Sequence, residues 1–186
     1  IKNEVGKTTY THMLNEDGGI ETDLTVACIK KDYFRIVSSA ANRVHDKFHI
    51  LKYLSNEVSL IDVTEKICCL GLFGPKSKKM MLKISKDDFS SENFPFGFGK
   101  YIKINEITIW AQRLSYVGEL GYELYVKSSE AKKLYNILIE EGKNFDLSHC
   151  GMHAMDIMRM ESGFVHWGHD ISPEENQYEA GLKFAI

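Results

Sequence analysis

Two glycines and two carboxylates fall within Tyr116-Val-Gly-Glu-Leu-Gly-Tyr-Glu123, a segment that runs into a strand-like stretch. Gly118 and Gly121 permit a tight bend in which backbone comes close to a ligand. With Gly121 opening the strand, Glu123 stands two residues in. There its carboxylate can accept two N–H bonds from a flat heterocycle carrying an amino group and a ring N–H. Such charge-assisted bonds are about twice as strong as neutral ones. The same residues also fit a plain hairpin with solvent-facing glutamates, and the motif alone leaves both readings open.

Two further segments carry groups of chemical interest. Asp46 lies in Ser38-Ser-Ala-Ala-Asn-Arg-Val-His-Asp46. Facing a pocket, it could hold a substrate amine or take its proton; facing water, it is an ordinary ionised helical aspartate. His166-Trp-Gly-His-Asp170 places two imidazoles three residues apart, and His149-Cys150 with His153 forms a second cluster. A zinc site needs three or four ligands, and neither spacing matches a zinc signature. The expectation is therefore no metal, and a surface turn with Trp167 packed beneath it. Gly97-Phe-Gly99-Lys100 lacks the spacing of a phosphate-binding loop.

These groups must be positioned by elements that the hydropathy pattern marks out. Asp17-Gly18-Gly19 is a turn signal, and Ile20, Thr22, Leu24, Val26 and Cys28 alternate after it as a half-buried hairpin strand. Tyr33–Ser38 predicts a second strand. Val44, Phe48, Leu51 and Leu54 recur at helical spacing, with Asn42 placed to cap the start. Strands are predicted over Val58–Val63 and Ile67–Phe73, then a helix opened by Gly74-Pro75. Ser85–Lys100 reads as a polar surface loop. Tyr101–Ile104, Glu106–Leu114 and Gly121–Lys127 read as strands, and Ser128–Glu141 as a helix with Gly142 as its C-cap. A last helix runs from Gly151 to Ser162 and ends at Gly163. Its Met152, Met155 and Met158 form a stripe expected to fill core. The tail beyond Phe164 is irregular and then extended. Strands in pairs between helices predict an α+β fold with antiparallel sheets, in one domain over residues 1–186.

Composition narrows the classes. Of the 186 residues, 44% are hydrophobic and 26% charged, which excludes a disordered chain. The net charge of −3 argues against a dedicated nucleic-acid binder, and Lys76, Lys78 and Lys79 read as a solvated face. No apolar run approaches the ~20 residues that span a bilayer. Cys28, Cys68, Cys69 and Cys150 contain no C-x-x-C pair and fit a reducing compartment, cytoplasmic or, in a eukaryote, the mitochondrial matrix.

Six segments in register resemble the folate-binding domain of the glycine-cleavage T-protein (aminomethyltransferase) family. They are Tyr10 to Thr25 and on to Asp46, Gly71-Leu-Phe-Gly-Pro75, Arg113 to Tyr125, Gly151 to Gly163, His166 to Pro173, and Glu179-Ala-Gly-Leu182. The branch most resembled is the C-terminal half of dimethylglycine and sarcosine dehydrogenases. The resemblance implies a domain that binds tetrahydrofolate in a central cavity and captures an imine or aminomethyl carbon from a methylated amine as 5,10-methylenetetrahydrofolate. The family's essential aspartate falls on Asp46, its pterin-binding glutamate on Glu123, and two family tyrosines on Tyr116 and Tyr33. Alternatives of the same resemblance are a stand-alone aminomethyltransferase, another folate-dependent demethylase, or a non-catalytic folate-binding assembly domain.

Departures accompany the match. Met155 stands where T-proteins carry an arginine, Phe73 replaces a common glutamine, and Asn176-Gln177 replaces Thr-Pro. Nothing in the chain resembles the flavin fingerprint of the dehydrogenases. FAD is therefore expected only in a full-length enzyme, and the partners expected are the flavin and C-terminal domains of a parent polypeptide, with neither nucleic acid nor membrane.

Overall fold

The turn at Asn15–Gly19 sets the first sheet. In the computed structural model, which describes residues 3–186, Gly18 takes φ +85°. The Asn15 side chain accepts the backbone N–H of Gly19 at 2.8 Å. The turn joins β1 (Thr8–Leu14) to β2 (Ile20–Lys30), and β3 (Tyr33–Ser38) follows antiparallel in the order β1-β2-β3. Helix α1 (Arg43–Tyr53) comes next. The second sheet, all antiparallel, has the order β4-β7-β6-β5, from Ile67–Phe73, Gly121–Lys127, Ile107–Gln112 and Gly99–Ile104. Helix α2 (Ser77–Ile84) follows β4; α3 (Ala131–Gly142) and α4 (Met152–Glu161) follow β7. This is the α+β, antiparallel architecture that the sequence predicts.

The chain divides into two compact units, Ile1–Asp62 with Val165–Ile186, and Val63–Phe164. In the first, the tail returns to the β1–β2 turn. Trp167 Nε1–H donates to the Ile20 carbonyl at 2.8 Å, and Ile20, Ile171 and Leu182 form a small core. A Cβ on Gly19 would lie 1.8 Å from the Pro173 carbonyl, so only glycine admits this return. The tail is irregular, as expected, but closes in a short 3-10 turn at Lys183–Ala185 rather than an extended segment.

In the second unit, strict alternation sorts the two sheet faces. Leu72, Ile102, Ile104, Ile107, Ile109, Tyr122, Leu124 and Val126 point to one side, against Met80 and Met81 of α2 and Leu134 and Leu138 of α3. The other side carries Gly71, Phe73, Gly99, Trp110, Gln112, Gly121, Glu123 and Tyr125, as the strand register requires.

Several expectations are corrected. Val58–Val63 forms no strand: Val58 and Ile61 are exposed and pair with no neighbouring strand. The loop after α2 is not purely a surface segment. Phe89 and Phe94 are fully buried, Phe89 edge-on to Tyr122 and Phe94 tilted against it, each burial stabilising by ~2–3 kcal/mol. Gly142 is the last residue of α3 with ordinary helical φ, and the left-handed turn falls at Asp146 instead. Asn42 occupies the N-cap of α1 but makes no side-chain capping bond.

The largest reversals concern helix faces. The Val44, Phe48 and Leu51 stripe of α1 is exposed, and the helix's one buried residue is Asp46. The methionine stripe of α4 is only partly covered: Met152 is exposed, Met155 and Met158 are half-buried, and the one fully buried side chain is Arg159, paired with Asp156 at 2.7 Å.

Candidate functional site

Glu123 is the third residue of β7, directly across from Gln112 on β6 and Gly71 on β4. Gln112 is fully buried. Its Nε2–H donates to Glu123 Oε2 at 3.1 Å, while its Oε1 accepts the Trp110 indole N–H at 3.0 Å. Tyr125, two residues along the same face, donates its hydroxyl to the same Oε2 at 2.7 Å. Burial first, and the adjacent Glu123 carboxylate second, push the Tyr125 hydroxyl far above its ordinary pKa, so it remains a donor. Both bonds end on Oε2. The carboxylate is thereby oriented, and Oε1 is left for donors from outside.

Two rings lie low over the same face because glycines make room. A Cβ on Gly71 would meet the Phe73 ring at 2.4 Å, and one on Gly121 would meet it at 2.1 Å. A Cβ on Gly99 would meet the Trp110 indole at 2.6 Å. The result is an anchored carboxylate among flattened aromatic groups, a setting suited to a planar ligand bearing paired N–H donors.

Tyr116 lies in the loop between β6 and β7, stacked on Phe164 with centroids 6.2 Å apart and 17° between planes. The loop is pinned to the end of α4: Gly118 has φ +73°, and a Cβ there would lie 2.0 Å from Ser162 Oγ. Glycine is required at that position both for the conformation and for the approach.

Asp46 occupies the other unit. It is 3% exposed on α1, and its Oδ1 lies 3.0 Å from His45 Nδ1. Its Oδ2 is buried and bonds to no group among the described residues. His45 Nε2 in turn lies 2.7 Å from Glu21 Oε1 on β2. Asp46 first, then Glu21, raise the His45 pKa above its ordinary value. A buried carboxylate oxygen without a donor is costly, and it is the arrangement expected of a group that receives a donor from a substrate.

Tyr33 begins β3, opposite Lys30, whose ammonium lies 5.4 Å from the Tyr33 ring centre. Glu21, the strand partner of the His45–Asp46 pair, is nine residues back along β2, roughly 30 Å of strand. Within this unit the structure brings together Asp46, His45 and Glu21 and leaves Tyr33 at the opposite end of the sheet. In the other unit, Glu123 is joined to Gln112 and Tyr125, while Tyr116 packs on Phe164.

Of these partners, sequence reasoning missed four. Gln112 and Tyr125 require the β6–β7 register. His45 and Glu21 were legible only as a neighbour of Asp46 and as a polar residue in the β2 alternation. The His166–Asp170 segment is a turn in which Asp170 accepts the His166 backbone N–H and Trp167 reaches Ile20. No cluster of three or more metal-ligating side chains occurs among the described residues, and no described helix is long and apolar enough to cross a membrane.

The fold and site define an α+β protein in which each of two antiparallel units carries one anchored carboxylate. The chain belongs to the GCVT N-terminal domain family, whose profile matches residues 1–186. It is 35% identical to a 4-methylaminobutanoate oxidase (formaldehyde-forming) of Paenarthrobacter nicotinovorans, over 98% of this chain and 22% of that protein. It is 30% identical to human mitochondrial dimethylglycine dehydrogenase, with coverages of 98% and 22%. An aminomethyltransferase of Halothermothrix orenii is 34% identical, with coverages of 97% and 50%. Among solved structures, the glycine cleavage system aminomethyltransferase T of Bartonella henselae superposes with TM-score 0.81 at 23% identity, covering 98% of this chain and 48% of that one. The chain thus spans between about a fifth and a half of these proteins' lengths, and the curated relatives are enzymes.

Proposed function

We propose that this chain is a tetrahydrofolate-binding one-carbon transfer module, as in dimethylglycine and sarcosine dehydrogenases. The observation that carries the reading is the Glu123 carboxylate, fixed through Oε2 by Gln112 and Tyr125 with Oε1 left over. In this proposal Glu123 accepts the paired N–H groups of a pterin and Tyr116 takes the position of a family ligand-binding tyrosine, whereas Tyr33, exposed at the far end of its sheet from Asp46, lies apart from the reacting nitrogen. Bound tetrahydrofolate supplies the two nitrogens that take up a one-carbon unit. Asp46 is the proposed catalytic residue: its buried Oδ2 positions the attacking folate nitrogen and accepts its proton as that nitrogen takes up the one-carbon unit. FAD belongs, in this reading, to other parts of a full-length dehydrogenase, and the methylated amine is the small-molecule partner.

The test is titration with tetrahydrofolate, followed through quenching of Trp110, which is wired to Glu123 through Gln112. Saturable binding that Glu123→Gln weakens by about tenfold or more supports the reading, since the lost bonds are charge-assisted. Unchanged affinity in Glu123→Gln overturns the assignment of that residue. Turnover with dimethylglycine, sarcosine and 4-methylaminobutanoate then identifies the amine.

A further inference from the structure

We propose that His45, clamped between Asp46 and Glu21, is a positioning residue that keeps Asp46 ionised and aims its Oδ2 at the reacting nitrogen. The proposal rests on the reading of Asp46 as proton acceptor given above, and it assigns roles to His45 and Glu21.

The geometry carries it. Both imidazole nitrogens contact a carboxylate oxygen, Nδ1 to Asp46 Oδ1 at 3.0 Å and Nε2 to Glu21 Oε1 at 2.7 Å. A neutral imidazole has one N–H; two donations at once require the imidazolium. Successive helical residues project about 100° apart and do not normally face each other. Here the His45 ring nevertheless reaches Asp46, and Glu21, reaching from β2, holds the far side of the ring.

The consequence is electrostatic. Burial alone drives a carboxylate toward its neutral form, in which it cannot accept a proton. A cation bonded to Oδ1 opposes that drive and leaves Oδ2 as the basic atom. The titratable groups against His45 are Asp46 and His49 on α1, the latter with ring centroids 6.4 Å away, and Glu21 on β2. Both of its hydrogen-bonding neighbours are acidic, so both favour the imidazolium.

The experiment follows the Asp46 carboxyl carbon by NMR across pH in the 186-residue chain, with Asp46→Asn to assign the signal. In His45→Ala the titration midpoint moves up by about one pH unit or more, a tenfold gain in proton affinity. In Glu21→Gln it moves up by less, about half a unit. His45→Asn, which retains a neutral donor near Oδ1 and guards against a His45→Ala chain that does not fold, raises the midpoint while tetrahydrofolate affinity stays unchanged. An Asp46 midpoint that stays put in a folded His45 variant overturns the proposal. The acid limb of the transfer rate should rise in parallel with the midpoint; a limb that ignores it also overturns the proposal. If instead Asp46→Asn leaves transfer intact, the underlying reading of Asp46 fails, a result distinct from the titration.

Discussion

Glu123 sits on a central strand, and the groups that fix it, Gln112 and Tyr125, are neutral donors on the same sheet face. Asp46 sits on a helix, and the group that fixes it is a histidine held from a distant strand by a second carboxylate. A strand supplies partners by register: once β6 pairs with β7, Gln112 is opposite Glu123 and Trp110 opposite Tyr125. A helix supplies only its own neighbours, and Glu21 from β2 holds the far side of the His45 ring that contacts Asp46. Neutral donors orient a carboxylate without cancelling its charge, which suits binding of a cationic or N–H-rich ligand. A cationic partner stabilises the ionised form in a buried place, which suits proton transfer.

That contrast breaks most sharply on paired neutral substitutions. Asp46→Asn removes the basic oxygen and should slow tetrahydrofolate-dependent transfer by about 10²–10⁴-fold, while tetrahydrofolate binding changes by less than about threefold. Glu123→Gln should do the reverse, weakening binding by about tenfold or more with a smaller effect on the rate at saturation. Stopped-flow transfer and fluorescence titration on the two variants read the pattern. If both lose binding alike, or both lose only rate, the division of labour is wrong.

A smaller effect tests the neutral wiring of Glu123. Tyr125→Phe removes the 2.7 Å bond while keeping the ring, and frees Oε2 to accept from water or ligand. Binding should weaken about three- to tenfold, since one hydrogen bond to a charged group is lost and partly replaced. Affinity equal to the unsubstituted chain would show that Gln112 alone orients the carboxylate.

How much of this was legible in the sequence differs between strands and helices. The alternation after Gly19 gave β2, and Gly121 opening β7 put Glu123 at its observed position. Those patterns have a two-residue period, and slipping by one residue would reverse every side chain. Helical periodicity found α1 and α4 but not their covered sides. A stripe of Val44, Phe48 and Leu51 says that one face is apolar; it does not say that a partner lies there. Asp46 and Arg159, the buried residues, are stabilised by specific contacts with His45 and Asp156 that no periodicity encodes. Phe89 and Phe94 escaped notice for a related reason. They share a largely polar loop with Phe96 and Phe98 and follow no period, and only the tertiary fold places them, rather than the exposed Phe96, against Tyr122.

The smallest predicted effect sharpens the comparison inside the Asp46 unit, where a second histidine is wired like Gln112 rather than like His45. Gln177 Nε2–H donates to His12 Nδ1 at 3.0 Å, His12 Nε2 faces the Tyr10 hydroxyl at 3.3 Å, and Tyr10 donates to Asp23 at 3.1 Å. With Nδ1 accepting, His12 is neutral, and burial lowers its pKa against a weaker opposing pull from Asp23. Between that lowered value and the ordinary one near 6.5, the unfolded chain binds a proton that the folded chain declines, so stability is full above about pH 6.5 and falls as pH drops through it. His45, with a raised pKa, contributes with the opposite sign: its share is full below about pH 6.5 and is lost as pH rises through the raised value. Urea unfolding of the chain at pH 7.5 and 5.5 should therefore show His12→Gln reducing the acid loss by up to ~1 kcal/mol, while His45→Asn reduces the loss on the alkaline side. An acid loss unchanged in His12→Gln would mean that His12 is protonated in the fold, which Gln177 donating to its ring does not permit.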